Sequence, residues 1–235
     1  GDVQMAAPSL SKFQKYTKQL QVFDLPFLFK DMEAVNKFQQ SATGQELLTS
    51  LEKRGLVGLG YLHNGMKQLS AGEPMRTPED AAGKKFRIMT SDVLQAQFEA
   101  VDAVPLKKPF SEVFTLLQTQ AIDGQENTWS NIYSKKFHEV QPYITESNHG
   151  LLDYMVVTSA EFWKGLDADV RTEVKKALDE AIAYGNDISE RKAMEDRQAI
   201  IDSGRSEVIQ ITDAERAKWV EAMKPVWKQF EDEIG

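Results

Sequence analysis

The sequence predicts an α/β sandwich, and three observations carry the prediction. Short apolar runs with strand character alternate along the chain with helical stretches. One helical pattern begins at Asp167 and persists to about Asp202, longer than a small lobe needs and long enough to run across two lobes and join them. No internal repeat or low-complexity tract interrupts the alternation.

Residues 3–7 read as a short strand ending at Pro8. The apolar stretch 22–29 is interrupted by Pro26, which suits a buried crossing segment better than a helix. Asp31 opens a helical stretch through Leu48 and Leu51, with Gly44 weakening its middle. Residues 57–62 alternate small and apolar side chains, the pattern of a buried strand that passes close to another backbone. Thr77-Pro78-Glu79-Asp80 is a helix start, with Thr as cap, Pro at the first position and acids following. Residues 85–89 alternate as a strand, and Ser111 begins another capped helix. Asp123-Gly124 turns the chain into Gln125-Glu126-Asn127, and residues 151–158 form a strand. In the long helix Val170, Val174, Leu178 and Ile182 recur every fourth residue, and Ser203-Gly204 stops it. Thr212 and Glu215 form a capping box for a last helix.

Composition narrows the function. The 235 residues carry a formal charge of −8, with 41% hydrophobic and 27% charged residues, an ordinary globular balance. A phosphate backbone would repel this chain, and no Lys/Arg cluster overrides that, so nucleic acid is not an expected partner. The absence of cysteine removes disulfides, thiolate chemistry and zinc–sulfur sites. The apolar runs fall short of a membrane span. The sequence opens Gly-Asp-Val-Gln, without an initiator Met or a signal peptide, as a processed or truncated product would.

Catalytic constellations are missing. His63, His138 and His149 fall in separate segments without metal-ligand spacing, and Gly55, Gly58 and Gly60 match no phosphate-binding fingerprint. No metal or cofactor is expected. Arg87 stands out, because it sits between Phe86 and Ile88 in a strand, where a charge must reach solvent, pair with a nearby acid or take an anion. Asn127 offers an amide to the same anion, and Lys67, in a presumed strand-end loop 64–67, offers a second cation or is simply solvated. Phe110 and Trp129 either wall a pocket or pack the core.

Three stretches carry a resemblance to a known family: residues 61–68 with 75–80 and 83–89; residues 109–119 leading into 122–127; and residues 134–140 followed by Asn148-His149-Gly150. With their order and spacing, the chain resembles the substrate-binding subunits of tripartite ATP-independent periplasmic (TRAP) transporters, of the type that binds C4-dicarboxylates. The resemblance implies a periplasmic, two-lobed α/β flytrap fold, with a long helix spanning both lobes and a ligand cleft between them. It divides the chain into lobe I (1–64 and 153–192) and lobe II (65–152 and 193–235). Arg87 matches the family arginine that pairs with the ligand carboxylate, Asn127 the asparagine beside it, and Phe110 the aromatic wall. Lys67 aligns with a position often basic, Trp129 with the dicarboxylate subgroup, and Lys12 and Ser9 with the loop through which the first lobe contributes.

Family members begin with a further strand–helix–strand unit, so lobe I is expected to be incomplete at its amino end. The implied partners are a small carboxylate such as succinate, fumarate or malate, and the transporter's membrane subunits, with the protein itself a monomer. Two other readings remain at this point. One is an enzyme acting on an acidic metabolite, with His63 as its base, and the other a sensory receptor using the same clamp.

Overall fold

The computed structural model describes residues 2–235. After β1 (Met5–Ala6) the chain makes two 3-10 turns, then α1 (Met32–Gln40) and α2 (Ala42–Leu48), before entering β2 (Leu56–Ala71). It continues through β3 (Lys85–Ile88), α3 (Asp92–Glu99), β4 (Val104–Lys107), α4 (Val113–Gln118), β5 (Gly124–Thr128) and α5 (Trp129–Ser134). Then follow β6 (Tyr143–Ser159), α6 (Ala160–Gly165), α7 (Ala168–Ser203), β7 (Glu207–Gln210), α8 (Asp213–Met223) and α9 (Pro225–Ile234). The sheet order is β1-β6-β2-β5-β3-β4, with β7 beside β6.

The backbone of this sheet is the antiparallel pair β2–β6, and both strands run well past their predicted ends. Residues 64–67, expected to form a strand-end loop, stay in the sheet. Three register shifts, at Gly58/Gly60, His63/Gly65 and Lys67/Leu69, absorb extra residues while the ladder continues. At the middle shift Gly65 takes φ 153°, which a side chain would resist.

These long strands pass through separate cores. Phe23, Leu51, Tyr61, Met155 and Val157 form one at their outer end. Leu69, Phe86, Ile88, Phe98 and Trp219 form another beyond the middle register shift. A third, of Val113, Ile132, Phe137, Ile144 and Ile200, lies under the far end of α7. The crossing segment does cross: Phe23 and Phe29 enter the first core, while Leu25 joins Val93, Ala96, Val226 and Phe230 in a fourth. Each fully buried side chain of this kind contributes about 1.5–3 kcal/mol.

The 36-residue α7 starts and stops where the sequence places it, with Gly204 in the left-handed region at φ 62°. Its Asn186 accepts from the His63 backbone N–H at 2.8 Å and donates to the Tyr61 carbonyl at 3.0 Å. One helix thus grips β2 at the middle register shift and, through Ile200, packs the third core.

Local outcomes differ from expectation in three places. The stretch from Asp31 breaks at Ser41, whose Oγ donates to Phe38 O at 2.6 Å and accepts from Gly44 N at 3.1 Å, starting a second helix. Ser111 caps nothing, because the 3-10 turn Phe110–Glu112 leads directly into α4. The last helix is two, divided where Pro225 opens α9. The capping box at Thr212 and Glu215 is formed as predicted.

Candidate functional site

Paired residues on neighbouring strands share a face, and successive residues alternate. Arg87 pairs with Gln125 in the β3–β5 ladder, so Arg87, Gln125 and Asn127 share one face of the sheet. Lys67 and Leu69 lie on the other, with Glu126 opposite Leu69. The site of interest is the rim formed by the carboxyl ends of β3 and β5, the usual place for ligands on a sheet with parallel strands.

Arg87 is 2% exposed. Its Nε donates to the Lys108 carbonyl at 2.9 Å, and its guanidinium carbon lies 5.7 Å from the Phe110 ring centre. Among the described residues no carboxylate lies within 4.0 Å of it. Burial lowers its pKa to about 10, with Glu126 opposing, so it stays charged at neutral pH. A buried cation without a paired acid is costly unless an anion arrives.

Asn127 is equally buried, and its Oδ1 accepts from the Thr128 backbone N–H at 3.1 Å and from Asn131 Nδ2 at 2.8 Å. Its Nδ2 donates to no protein group among the described residues and is free for a ligand. Phe110 is half-buried and packs edge-on against Phe137. Ser9 bridges to Tyr154, and its hydroxyl reaches Met89 Sδ at 3.3 Å, which brings the amino-terminal segment to the end of β3.

The remaining predicted residues stand elsewhere. Lys67 is in the body of β2 and not in a loop; it is 1% exposed, with Nζ 2.7 Å from Glu126 Oε1. Lys67 is thus a strand residue paired with a buried acid, not a free cation on a loop. Trp129, 3% exposed, packs the third core beneath Arg197. Lys12 is exposed on the first 3-10 turn.

Behind the rim lies a buried ionic cluster that sequence reading passed over. Glu126 Oε2 lies 2.7 Å from His149 Nε2, and Ser147 Oγ lies 2.6 Å from His149 Nδ1. Burial alone would raise the Glu126 carboxyl; Lys67 and His149 overcome it and hold it at about 2. Burial lowers His149, against the pull of Glu126. A neutral imidazole then donates from Nε2 to Glu126 and accepts at Nδ1 from Ser147. Gly150 belongs to this cluster, since a Cβ there would fall 2.9 Å from Lys67 Cε. Glu126 and His149 both lie in the stretches that carry the family resemblance, the one signal that would have singled them out.

His63 is engaged by Gln39 and Asp153. Its Nε2 lies 2.9 Å from Gln39 Oε1, and the same glutamine donates to Asp153 Oδ2 at 2.9 Å. A groove of about 1080 Å³ opens between α1, α2 and α7, floored by β2. Asp31, Glu33, Asp179, Asp187 and Glu190 line it with His63 against the lone lysine Lys175, a balance that repels an anion, and none of the predicted ligand-binding residues lines it.

A buried arginine without a paired acid, at the strand ends of a sheet packed on several separate cores, is the arrangement of a binding protein for a small anion. Comparison with known proteins agrees: residues 1–233 match the bacterial extracellular solute-binding protein family 7, and the chain belongs to that family. It is 73% identical over 234 residues to a Shewanella loihica protein named C4-dicarboxylate-binding periplasmic protein DctP, covering all of this chain and 70% of that one. A Vibrio cholerae protein of the same name is 54% identical over 235 residues, with the same shares covered.

Among solved structures, a TRAP periplasmic solute-binding protein from Shewanella oneidensis with bound succinate superposes with a TM-score of 0.99 at 66% identity, over 100% of this chain and 77% of that one. One from Pseudomonas aeruginosa PAO1 with bound L-malate gives 0.95 at 46% identity, over 97% and 79%. The chain is thus a periplasmic solute-binding protein of the two-lobed α/β class, not an enzyme, and works with a transporter. Among the described residues no helix is long and apolar enough to cross a membrane.

Proposed function

We propose that this protein captures a C4-dicarboxylate such as succinate, fumarate or malate and presents it to the membrane subunits of a TRAP transporter. The observation that carries the reading is Arg87: buried, aligned by Lys108 O and Phe110, and without an acid of its own. A ligand carboxylate completes it through the free guanidinium nitrogens and the free amide of Asn127. Phe110 walls the same spot, and Ser9 closes the rim from the amino-terminal side. A few charge-assisted hydrogen bonds of about 1.5–3 kcal/mol each supply micromolar affinity, which needs a net of about −8 kcal/mol after ordering costs.

The lobe division belongs to the same proposal. Lobe I comprises residues 1–64 and 153–192, and lobe II residues 65–152 and 193–235. The His63/Gly65 register shift, with Gly65 at φ 153°, supports a boundary there. The bulk relatives named above support the ligand class, since one neighbour holds succinate and another L-malate.

Isothermal calorimetry with succinate, fumarate and malate tests the proposal. Wild type is expected to bind at least one of the three, and Arg87→Ala to lose that binding by a hundredfold or more. Equal affinity in both proteins would refute the site.

A further inference from the structure

The hydrogen bonds around Asn127 have a direction, and it can be read without ambiguity. The backbone N–H of Thr128 can only donate, so the atom 3.1 Å from it must be Asn127 Oδ1, which turns Nδ2 away. Asn131 must then bring its own Nδ2 to that oxygen, at 2.8 Å, leaving its Oδ1 as an acceptor. Asn64 answers with Nδ2 at 3.3 Å, and the same nitrogen lies 2.7 Å from the hydroxyl oxygen of Tyr154. Turning the Asn64 amide over would set its oxygen against Asn131 Oδ1. The orientation is held even though it leaves Asn64 Oδ1 buried without a partner.

The chain of amides therefore ends in two donors. One is Asn127 Nδ2. The other is the Tyr154 O–H, which cannot point at the Asn64 nitrogen already donating to it and has no protein acceptor among the described residues. Asn131 and Asn64 tie the two ends together across β5, β2 and β6. Asn127 stands at the carboxyl end of β5, and Tyr154 is bridged to Ser9, whose hydroxyl touches Met89 just past β3.

Building on the carboxylate-binding role proposed for Arg87, we infer that Tyr154 is a further ligand-binding residue, donating its hydroxyl to the second carboxylate of a diacid. Asn131 and Asn64 are positioning residues: they touch no ligand themselves and keep both donors turned outward. The phenol supplies what Lys67 was expected to supply, from the β6 side of the rim and without a second buried charge.

The test is calorimetry with succinate on the full chain, using wild type, Tyr154→Phe and Arg87→Ala. Tyr154→Phe keeps the ring and its packing and removes only the donor. It should weaken succinate binding roughly tenfold or more, the worth of a hydrogen bond to a charged group, with ligand-free melting unchanged. Affinity within twofold of wild type, while Arg87→Ala abolishes binding, would overturn the role of Tyr154 alone. Binding that survives Arg87→Ala would instead overturn the underlying site.

Should Tyr154→Phe melt early, the hydroxyl is read in the wild type through its ¹³Cζ resonance. That signal should move on adding succinate if the O–H donates to a carboxylate, and its failure to move would refute the assignment. For Asn131→Asp, which offers Asn127 only acceptors, the Asn127 side-chain amide resonances should shift without ligand and succinate affinity should fall. Unchanged resonances would remove the positioning role.

Discussion

Replacing Lys67 by methionine keeps the length of the side chain and removes its charge. Nζ lies 2.7 Å from Glu126 Oε1, and both side chains are 1% exposed, so the carboxylate would be left buried without its main counter-charge. The depression of Glu126 from 4.5 to about 2 is worth about 3 kcal/mol at neutral pH. Breaking a buried ion pair from one side costs about 3–5 kcal/mol, consistent with that figure. For a chain of this size each kcal/mol lowers the melting temperature by about 2–4 °C, so Lys67→Met is expected to melt roughly 6–20 °C early.

The assay is a double-mutant cycle by thermal and urea unfolding, with Glu126→Gln as the second change. The double variant should recover most of the loss, because neither charge then lacks a partner. Additive single effects, or a Lys67→Met protein melting within 2 °C of wild type, would refute a buried pair and return Lys67 to solvent or to a ligand.

Asp153 offers a pH test of the other sign. Burial pushes its carboxyl from 3.8 up to about 8, against hydrogen bonds from Asn64 N–H and Gln39. Between those values the folded protein holds a proton that the unfolded chain has released, so this contribution to stability falls as pH rises through that window, by at most about 1.4 kcal/mol per unit. Urea unfolding of wild type and Asp153→Asn at pH 5 and pH 8 should show the wild type losing more over the interval. A carboxyl carbon resonance for Asp153 that titrates below pH 5 would contradict this. His63 and His149, both lowered by burial, act in the opposite sense on the acid side, and the comparison with Asp153→Asn cancels them. Gly44→Ala should destabilise despite alanine's better helix propensity, because its Cβ would fall 2.2 Å from Phe38 O and 2.6 Å from Gln39 O. A melting temperature equal to or above wild type would show that the α1–α2 joint relaxes.

Gly44 also shows where local reading stops. From sequence it is a weak point in one helix; in the fold it is a close approach that lets two helices meet at Ser41. What the sequence determined by itself is what short-range chemistry encodes. The Thr212 capping box, the 36-residue α7 with its Gly204 stop and the β3 strand carrying Arg87 all depend on neighbours a few residues away. The family motifs added the pairing of Arg87 with Asn127 and Phe110, which the structure gathers at one rim.

Only the tertiary structure decided which side of the sheet each charge occupies. A strand reverses its facing at every residue, and three register shifts in β2–β6 are set by pairing with a partner some ninety residues away, not by the local pattern. That is why Lys67 could be read as a loop cation when it is a buried one. It is also why Glu126, His149 and Tyr154, each unremarkable in its own segment, acquire their roles only when β2, β5 and β6 lie side by side.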